Sequence, residues 1–350
     1  MSGSANKRSR VRLLLWPVSL VWGAVVRLRV LAYRWGLRTP KRLPGVVISV
    51  GNLTAGGTGK TPMVIWIAER MRSHLPESNK RIGILTRGYR GSRTGASGEP
   101  QSDEVAILRA RLPHHAELGV GPNRCANGQI LARHGVEWFI LDDGFQHMQL
   151  ARDINIVLID ATDPFGGGHL LPVGLLREPK SALARADIVV ITRSQQALGV
   201  ETILRRYTTA PIFYAVTEML DVLPLPGQSE PEIPMNWREE KVFAFCAIGN
   251  ADAFFNDLAR WGFHVAGHAG FPDHHKYSQA EVSQLMEQAK KCGATALICT
   301  EKDVFNLRGV SCSGLPVGFA RIAMRMTALD AFWAAVQSIV KSKRGNTTVL

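Results

Sequence analysis

A glycine-rich stretch near the start of the chain could bind phosphate groups. Residues 51–61 read GNLTAGGTGKT and lie between a β-rich apolar run at 45–51 and a segment with helical apolar spacing at 61–72. Glycines allow backbone N–H groups to close around phosphate oxygens, and the N-terminus of the following helix adds partial positive charge. Lys60 would reach the β- and γ-phosphates, and the Thr61 hydroxyl would bind Mg²⁺. The pattern predicts a P-loop.

This loop departs from the usual P-loop pattern at one position. The strict pattern has a glycine five residues before Gly59, where this chain has Thr54. An ordinary glycine-rich turn before a helix is the alternative, but the strand–loop–helix context favours a nucleotide site. The residues predicted to bind the nucleotide are Thr54, Ala55, Gly56, Gly57, Thr58, Gly59, Lys60 and Thr61.

Two neighbouring aspartates could complete such a site. A P-loop site needs a carboxylate at a strand end to hold Mg²⁺, directly or through water. Residues 138–143 read WFILDD, so Asp142 and Asp143 follow a short apolar run. Aspartate also favours turns and helix caps after strands. Beside a P-loop the metal-binding interpretation is favoured, and either carboxylate could touch the metal. Asp160, Asp163 and His147 are interpreted as local structural residues.

Continuous apolar segments predict the strands that position these groups. They occur at 45–51, 81–86, 138–141, 154–160, 187–192, 241–248 and 296–300. Alternation with helical segments favours an α/β fold with a parallel sheet covered on both faces. Five prolines between 207 and 240 predict a linker or hinge. The predicted organisation is an N-terminal segment at 1–42, a P-loop domain at 43–206, the linker at 207–240 and a smaller α/β domain at 241–350.

The composition indicates a globular protein with an anionic partner. The chain has 350 residues, of which 46% are hydrophobic and 20% charged, so it can bury a core and is not disordered. Its net charge of +13 favours nucleic acid, phosphate ligands or an acidic membrane surface as partner. The five cysteines form neither a disulfide framework nor a CxxC zinc pattern, which favours a reducing cytosol.

The positive charge is concentrated at the N-terminus. Residues 1–68 contain eleven Lys or Arg and no Asp or Glu. Among them, Leu13–Val26 forms an uncharged run of 14 residues, shorter than the ~20 of a spanning helix. Tryptophans among the arginines suit a helix lying in a membrane interface. The alternative is a helix packed on the protein's own core with a basic tail.

Several motifs occur along most of the chain in a distinctive order. They are VGNLTAGGTGKTP at 50–62, TRGYRG at 86–91, LDDGFQH at 141–147, LARDINIVLID at 150–160, FGGGHLLPVGLLREP at 165–179, FPDHHKYS at 271–278 and TEKD at 300–303. With the basic, apolar N-terminus, this set resembles the tetraacyldisaccharide 4′-kinase family of the lipid A pathway. The resemblance implies MgATP-dependent phosphorylation of the 4′-hydroxyl of a lipid A disaccharide 1-phosphate precursor, giving lipid IVA. It also implies two α/β domains joined by a hinge, with the active site in the cleft between them.

The resemblance further implies roles for individual residues. ATP would be held by the P-loop, and Mg²⁺ would be surrounded by Thr61, one of Asp142 and Asp143, and Glu178. The family's catalytic aspartate lies in a GDEP motif, and the matching residues 102–105 read SDEV. Asp103 would then accept the proton of the substrate hydroxyl. His274 would pair with Asp103 and raise its basicity, Lys60 would offset phosphate charge, and Arg124 would lie near the phosphates.

The same resemblance places the protein, as a peripheral protein, on the cytoplasmic face of the bacterial inner membrane. We expect an anionic membrane surface as partner, no nucleic acid and no obligate protein partner. From the residues alone, a membrane-associated P-loop ATPase or switch acting on a protein partner stays open. A basic membrane- or nucleic-acid-binding module is the other alternative, although the sequence contains neither an NKxD guanine signature nor a nucleic-acid motif.

Overall fold

The structure is a computed structural model that describes residues 3–74, 81–88, 102–112, 116–227 and 235–345. The side chains of residues 3–13 lie outside this description, and with them those of Lys7, Arg8, Arg10 and Arg12. Within the described residues the helices are α1 (Gly3–Arg34), α2 (Lys60–His74), α3 (Asp103–Arg111), α4 (Arg124–Arg133), α5 (Val200–Leu204), α6 (Ala251–Arg260), α7 (Gln279–Lys291), α8 (Asp303–Asn306) and α9 (Leu329–Arg344). The strands are β1 (Val46–Asn52), β2 (Ile82–Thr86), β3 (Glu117–Val120), β4 (Trp138–Asp142), β5 (Ile154–Asp160), β6 (Ile188–Thr192), β7 (Ile212–Pro224), β8 (Lys241–Cys246), β9 (His264–Gly270), β10 (Ala296–Thr300) and β11 (Val317–Met326).

The first of two compact units contains the predicted P-loop. It comprises Met1–Gly88, Leu112–Val216 and Met324–Leu350. Its strands follow the order β3-β2-β4-β1-β5-β6-β7, and each neighbouring pair is parallel. Every residue of β1 and β4 is buried, as expected for strands covered on both faces. The predicted α/β fold with a parallel sheet is therefore confirmed.

The register of this sheet places the two predicted phosphate-site segments at one edge. Val50 of β1 lies beside Asp142 of β4, and both strands end within two residues of this pair. The carboxyl ends of neighbouring parallel strands are where α/β folds form ligand sites. The P-loop and the paired aspartates therefore begin at the same edge because the chain pairs β1 with β4.

The second unit comprises Tyr89–Arg111 and Thr217–Ala323. Its strands β11, β10, β8 and β9 form parallel pairs in that order. Apolar clusters cover both faces, with Phe243 and Phe245 in one cluster and Phe254 and Phe255 in the other. Helix α3 belongs to this unit, although the sequence assigned residues 43–206 to the P-loop domain.

Two further segments differ from the domain boundaries that the sequence suggested. The described part of the 207–240 segment contains the 13-residue strand β7, where the prolines suggested a linker. Pro211 precedes this strand and Pro224 ends it, positions at which proline disturbs no internal ladder bond. Helix α9, which the sequence placed in the smaller domain, belongs to the first unit. There Trp333 stacks on Trp66 of α2, with ring centroids 5.9 Å apart.

Helix α1 is longer than its uncharged sequence run. It has 32 residues and continues through Pro17. Within it, Leu14–Arg34 is long and apolar enough to cross a membrane by length and composition, and only 11% of its most apolar window is buried. A narrow stripe faces the first unit, formed by Leu15, Ser19, Gly23, Val26 and Val30. Many apolar side chains outside this stripe are exposed, namely Leu14, Trp16, Val18, Leu20, Val21, Trp22, Val25 and Leu28.

Candidate functional site

The phosphate loop connects the end of β1 to the start of α2. Gly56 has φ +135° and Gly59 has φ +86°, backbone conformations that favour glycine. Lys60 begins α2, so the loop's backbone N–H groups precede a helix N-terminus. This local geometry explains why glycines occupy these two positions. It is the arrangement that a loop closing around phosphate oxygens requires.

A second segment is paired with the loop. We call residues 165–177 the strap. The N–H of Ala55 donates to the carbonyl of Leu175 at 2.7 Å, and the N–H of Arg177 donates to the carbonyl of Leu53 at 2.8 Å. Thr54 forms the intervening antiparallel bridge with Leu176 and is buried. Position 54 does not require glycine, because its backbone forms a β-bridge and has no positive φ. A threonine can therefore stand where the usual P-loop has glycine.

Lys60 lies among oxygen atoms at the loop. Its Nζ is 3.4 Å from Oδ1 of Asn52 and 3.7 Å from Oδ1 of Asp143. Nη1 of Arg177 donates to both carboxylate oxygens of Asp143, at 2.8 and 2.7 Å. Burial acts to raise the pKa of Asp143, but Lys60, Arg177 and Arg124 outweigh it and hold that pKa below its ordinary value. Asp143 is therefore an ionised carboxylate between cationic side chains.

Arg177 is a site residue that the sequence reasoning did not single out. It lies immediately before Glu178 in the REP triplet of the strap motif. That motif was the available signal, because an arginine beside a predicted metal ligand suits phosphate or carboxylate binding. Arg124 was predicted near the phosphates. It is buried, and its Nη1 donates to the backbone carbonyl of Asp143 at 3.4 Å.

The remaining predicted metal ligands have oxygen donors of the type that Mg²⁺ prefers. Asp142 is buried at the end of β4, and its Oδ2 accepts a hydrogen bond from Thr86 Oγ1 at 3.0 Å. Thr61 lies in the first turn of α2. Mg²⁺ in kinase sites uses one or two carboxylates together with substrate phosphates, so a threonine hydroxyl and this carboxylate fit it. Glu178 is also buried, but it is paired with Arg185 at 2.8 Å.

Histidine, cysteine and carboxylate side chains form no dedicated metal centre within the described part of the chain. Among the residues that the structure describes, no three or more His, Cys, Asp or Glu side chains group closely enough to hold a metal ion. His147 was interpreted as a structural residue. Burial, reinforced by Arg124 and Arg152, lowers its pKa to about 4, so it is neutral at physiological pH. Asp160 was interpreted as a turn residue, and its Oδ1 accepts from the Thr162 N–H at 3.0 Å.

The second unit brings together two residues that are 171 positions apart. Asp103 begins α3, and its Oδ2 lies 3.0 Å from Nδ1 of His274, while its Oδ1 accepts from the Glu104 N–H at 2.9 Å. His274 has φ +61° in the loop after β9, where its N–H donates to the carbonyl of Ala247. The Asp103 side chain is 6% exposed and that of His274 is 39% exposed. One partner is thus buried and the other faces solvent.

The electrostatics of this pair differ from the sequence expectation. His274 was expected to raise the basicity of Asp103. Burial does act to raise the pKa of Asp103, but the hydrogen bond from His274 and the charge of Lys302 lower it below its ordinary value. The hydrogen bond to Asp103 raises the pKa of His274. The physical reason is that each partner stabilises the charged form of the other. The pairing therefore keeps Asp103 ionised and orients it.

Lys302 is a third group beside this pair that the sequence reasoning did not single out. Its Nζ lies 3.5 Å from Oε1 of Glu104, the neighbour of Asp103 on α3. Burial acts to lower the pKa of Lys302, but Glu104, Asp103 and Asp273 raise it above its ordinary value. The TEKD motif contains this lysine and was the available signal. Lys302 supplies a permanent positive charge beside the pair.

Comparisons with known proteins agree on one family. Residues 11–341 match the family model described as Tetraacyldisaccharide-1-P 4′-kinase. A tetraacyldisaccharide 4′-kinase of Desulfatibacillum aliphaticivorans is 34% identical, and the match covers 98% of this chain and 95% of the relative. The one of Geobacter metallireducens is 38% identical, with 91% and 94% covered. A crystal structure of LpxK from Aquifex aeolicus in complex with ATP has 29% identity and a TM-score of 0.68, covering 94% of this chain and 99% of that one.

Proposed function

Since this chain belongs to the tetraacyldisaccharide-1-P 4′-kinase family, we propose that it transfers the γ-phosphate of ATP to the 4′-hydroxyl of a lipid A disaccharide 1-phosphate at a membrane surface. The observation that carries this proposal is the phosphate loop. Lys60 lies beside an ionised Asp143 at the carboxyl ends of β1 and β4, after a loop with two glycines at positive φ. The ATP complex of the similar crystal structure supports ATP as the nucleotide.

Phosphoryl transfer depends mainly on positioning and charge neutralisation. The backbone of Thr54–Thr61 would hold the phosphates, and Lys60 would exchange its contacts with Asn52 and Asp143 for phosphate oxygens. Thr61 and Asp142 would hold Mg²⁺, with Asp143 and Glu178 as further acidic groups near it. Bound Mg²⁺ would neutralise charge on the β- and γ-phosphates.

Asp103 is the group that we assign to the acceptor hydroxyl. An ionised carboxylate can accept the hydroxyl hydrogen bond and then its proton as the oxygen attacks phosphorus. Nδ1 of His274 would hold Asp103 in one orientation and stabilise its charge before transfer. Lys302 would keep the carboxylate ionised across the physiological pH range. In this assignment His274 and Lys302 are positioning residues.

The N-terminal helix supports action at a membrane surface. Its exposed side chains include Leu14 at 78%, Leu20 at 64% and Val21 at 63%, an apolar surface that water disfavours. Arg27 and Arg34 near its end would attract an anionic leaflet. We propose peripheral attachment at the cytoplasmic face of the bacterial inner membrane, where ATP is available. All five cysteines are free, in agreement with a reducing compartment.

The test is a transfer assay with γ-labelled ATP, Mg²⁺ and detergent-dispersed lipid A disaccharide 1-phosphate. We expect label in the lipid with the wild-type chain, and loss of that label with Lys60→Ala and with Asp103→Asn. Hydrolysis of ATP to free phosphate without labelled lipid would contradict the proposal. It would favour a P-loop ATPase or switch that acts on a protein partner.

A further inference from the structure

Among the α1 side chains that the structure describes, three donate hydrogen bonds to the body of the first unit. Ser19 Oγ donates to the carbonyl of Leu170 at 3.0 Å, and Trp22 Nε1 donates to the carbonyl of Arg177 at 3.1 Å. Arg29 Nη2 donates to the carbonyl of Gln146 at 2.8 Å. Two acceptors belong to the strap, and the third follows the paired aspartates. The polar contacts of a largely exposed, apolar helix thus converge on segments of the phosphate site.

Two of these acceptor residues, Arg177 and Gln146, in turn contact the phosphate loop. Arg177 uses its carbonyl for Trp22, its N–H for the carbonyl of Leu53 and its guanidinium for Asp143. Gln146 accepts from Arg29 at its carbonyl, and its Nε2 donates to the carbonyl of Asn52 at 2.9 Å. A single residue therefore separates the side chains of Trp22 and Arg29 from the phosphate loop.

This contact is close as well as directional. Gly23 of α1 packs against the side chain of Leu170 in the strap, and a Cβ at position 23 would lie 2.8 Å from Cδ1 of Leu170, so that side chain would have to shift. Ser19 and Gly23 are the buried residues of α1 among those whose side chains the structure describes. A helix that served only to attach the protein to lipid would need neither the close approach nor the three donors. Small residues at the contact let the backbone of α1 approach the strap.

We propose that Trp22 and Arg29 are positioning residues of the phosphate site, through which α1 sets the affinity of the loop for ATP. Trp22 fixes the peptide of Arg177 and so the strap strand that pairs with Leu53–Ala55. Arg29 fixes Gln146 and so the carbonyl of Asn52, whose side chain contacts Lys60. The proposal rests on the proposed function only in taking ATP as the nucleotide. Helix α1 then has two separable roles, lipid attachment through its exposed face and support of the loop through its docked face.

The test measures binding of a non-hydrolysable ATP analogue with Mg²⁺ to the full-length chain in detergent micelles. Trp22→Phe removes the Nε1 donor and keeps an aromatic ring. Loss of one hydrogen bond corresponds to about a 2- to 10-fold change, so we expect the Kd for the analogue to rise by that factor. Arg29→Gln should have a similar effect, and Arg29→Lys should restore part of the affinity because it keeps a cationic donor.

Leu20→Ser is the matched control on the same helix, since Leu20 is exposed and lies outside the stripe that faces the first unit. It should weaken cosedimentation with anionic vesicles while leaving the Kd for the analogue within twofold of wild type. Trp22→Phe should also raise the KM for ATP with little change in kcat at saturating ATP. Amide exchange at Ala55, whose N–H bonds to the strap, should become faster in Trp22→Phe.

An unchanged Kd in the Trp22→Phe, Arg29→Gln double variant would overturn the inference. It would also be overturned if Leu20→Ser raised the Kd as much as Trp22→Phe, because detachment from the micelle would then explain both. Since nucleotide binding is measured without lipid acceptor, failure to label the lipid would overturn the proposed function and leave this result standing.

Discussion

The phosphate site of the first unit and the Asp103–His274 pair of the second are built in different ways. The proposed phosphate site is centred on consecutive residues 51–61, whose backbone N–H groups would do much of the phosphate recognition. The pair consists of two side chains 171 positions apart, and a change to either removes the interaction. Binding by backbone N–H groups tolerates a change of side chain, such as Thr54 in place of glycine. An interaction between two side chains does not tolerate such a change, so the two regions should respond differently to mutation.

The largest difference between the two regions is expected in ATP affinity, when Lys60→Ala is compared with Asp103→Asn. Lys60 would contact the phosphates of both the bound nucleotide and the transition state, so its loss should weaken ATP binding and lower kcat by about 10²- to 10³-fold. Asp103→Asn should lower kcat by about 10²- to 10⁴-fold and leave the Kd for ATP within twofold, because a general base acts only on the acceptor. Nucleotide titration and single-turnover transfer measure the two effects separately.

Asp221→Asn is a suitable control for the second variant. Asp221 is a carboxylate of the same unit, and its Oδ1 accepts from Nε of Arg321 at 2.9 Å. We expect its kcat to stay within a few-fold of wild type. Near wild-type kcat in Asp103→Asn would show that Asp103 is not the proton acceptor. Equal losses of ATP affinity in Asp103→Asn and Lys60→Ala would remove the proposed distinction between the two regions.

The same contrast explains how much of the fold could be predicted. Strands β5 and β10 have the bounds that their apolar runs gave, because buried parallel strands read as continuous apolar sequence. Strand β9 reads HVAGHAG and alternates between exposed and half-buried positions, so no apolar run marks it. Five prolines between 207 and 240 predict a linker, but Pro211 and Pro224 only bound strand β7, most of whose residues are partly buried. A strand could therefore be predicted from the sequence when both of its faces were buried, whatever its length.

The residues of the candidate site also differ in whether the local sequence predicts them. The P-loop and Asp142–Asp143 were readable from residue types and local context, since each lies in one short segment at the end of a strand. Asp103 and His274 could be named only through family resemblance, because nothing in the local sequence of either residue indicates its partner. The sequence does not mark Arg177, or the proposed positioning residues Trp22 and Arg29, for the same physical reason. Their contacts depend on how the strap and α1 dock, which local patterns do not encode.

We expect His274→Gln to lower the folding stability by a small amount that depends on pH. The raised pKa of His274 gives stability that is present below its unfolded value of about 6.5 and is lost as pH rises through the folded value. The lowered pKa of Asp103 gives stability that is present above about 3.8 and is lost as pH falls through the folded value. The pair therefore stabilises most between about pH 4 and 6.5, and the variant should lose most stability there.

Partial exposure of His274 limits this loss to about 1 kcal/mol, or roughly 1–2 °C in Tm for a chain of this length. Thermal unfolding of wild type and variant at pH 5.5 and pH 9 measures it, with the larger difference expected at pH 5.5. Removing His274 also removes a group that lowers the pKa of Asp103, so the acidic limb of kcat/KM should move to higher pH. A larger Tm difference at pH 9, or a shift of that limb to lower pH, would contradict the assigned direction of coupling.

The smallest effect is expected for Thr54→Gly, which tests whether ATP binding by the phosphate loop depends on its backbone conformation alone. Thr54→Gly restores the usual P-loop glycine, yet we expect no gain in ATP affinity and a loss of about 0.5–1 kcal/mol in unfolding free energy. Thr54 needs no left-handed backbone, and its bridge to Leu176 fixes it in the pairing with the strap. Gly56→Ala is the contrasting variant, because Gly56 has open space for a Cβ but has φ +135°. Alanine there should weaken ATP binding through backbone strain. If Thr54→Gly bound ATP more tightly than wild type, the pairing with the strap would hold the loop away from its ATP-binding conformation. The strap would then lower the affinity for ATP, contrary to the supporting role that we assign to it.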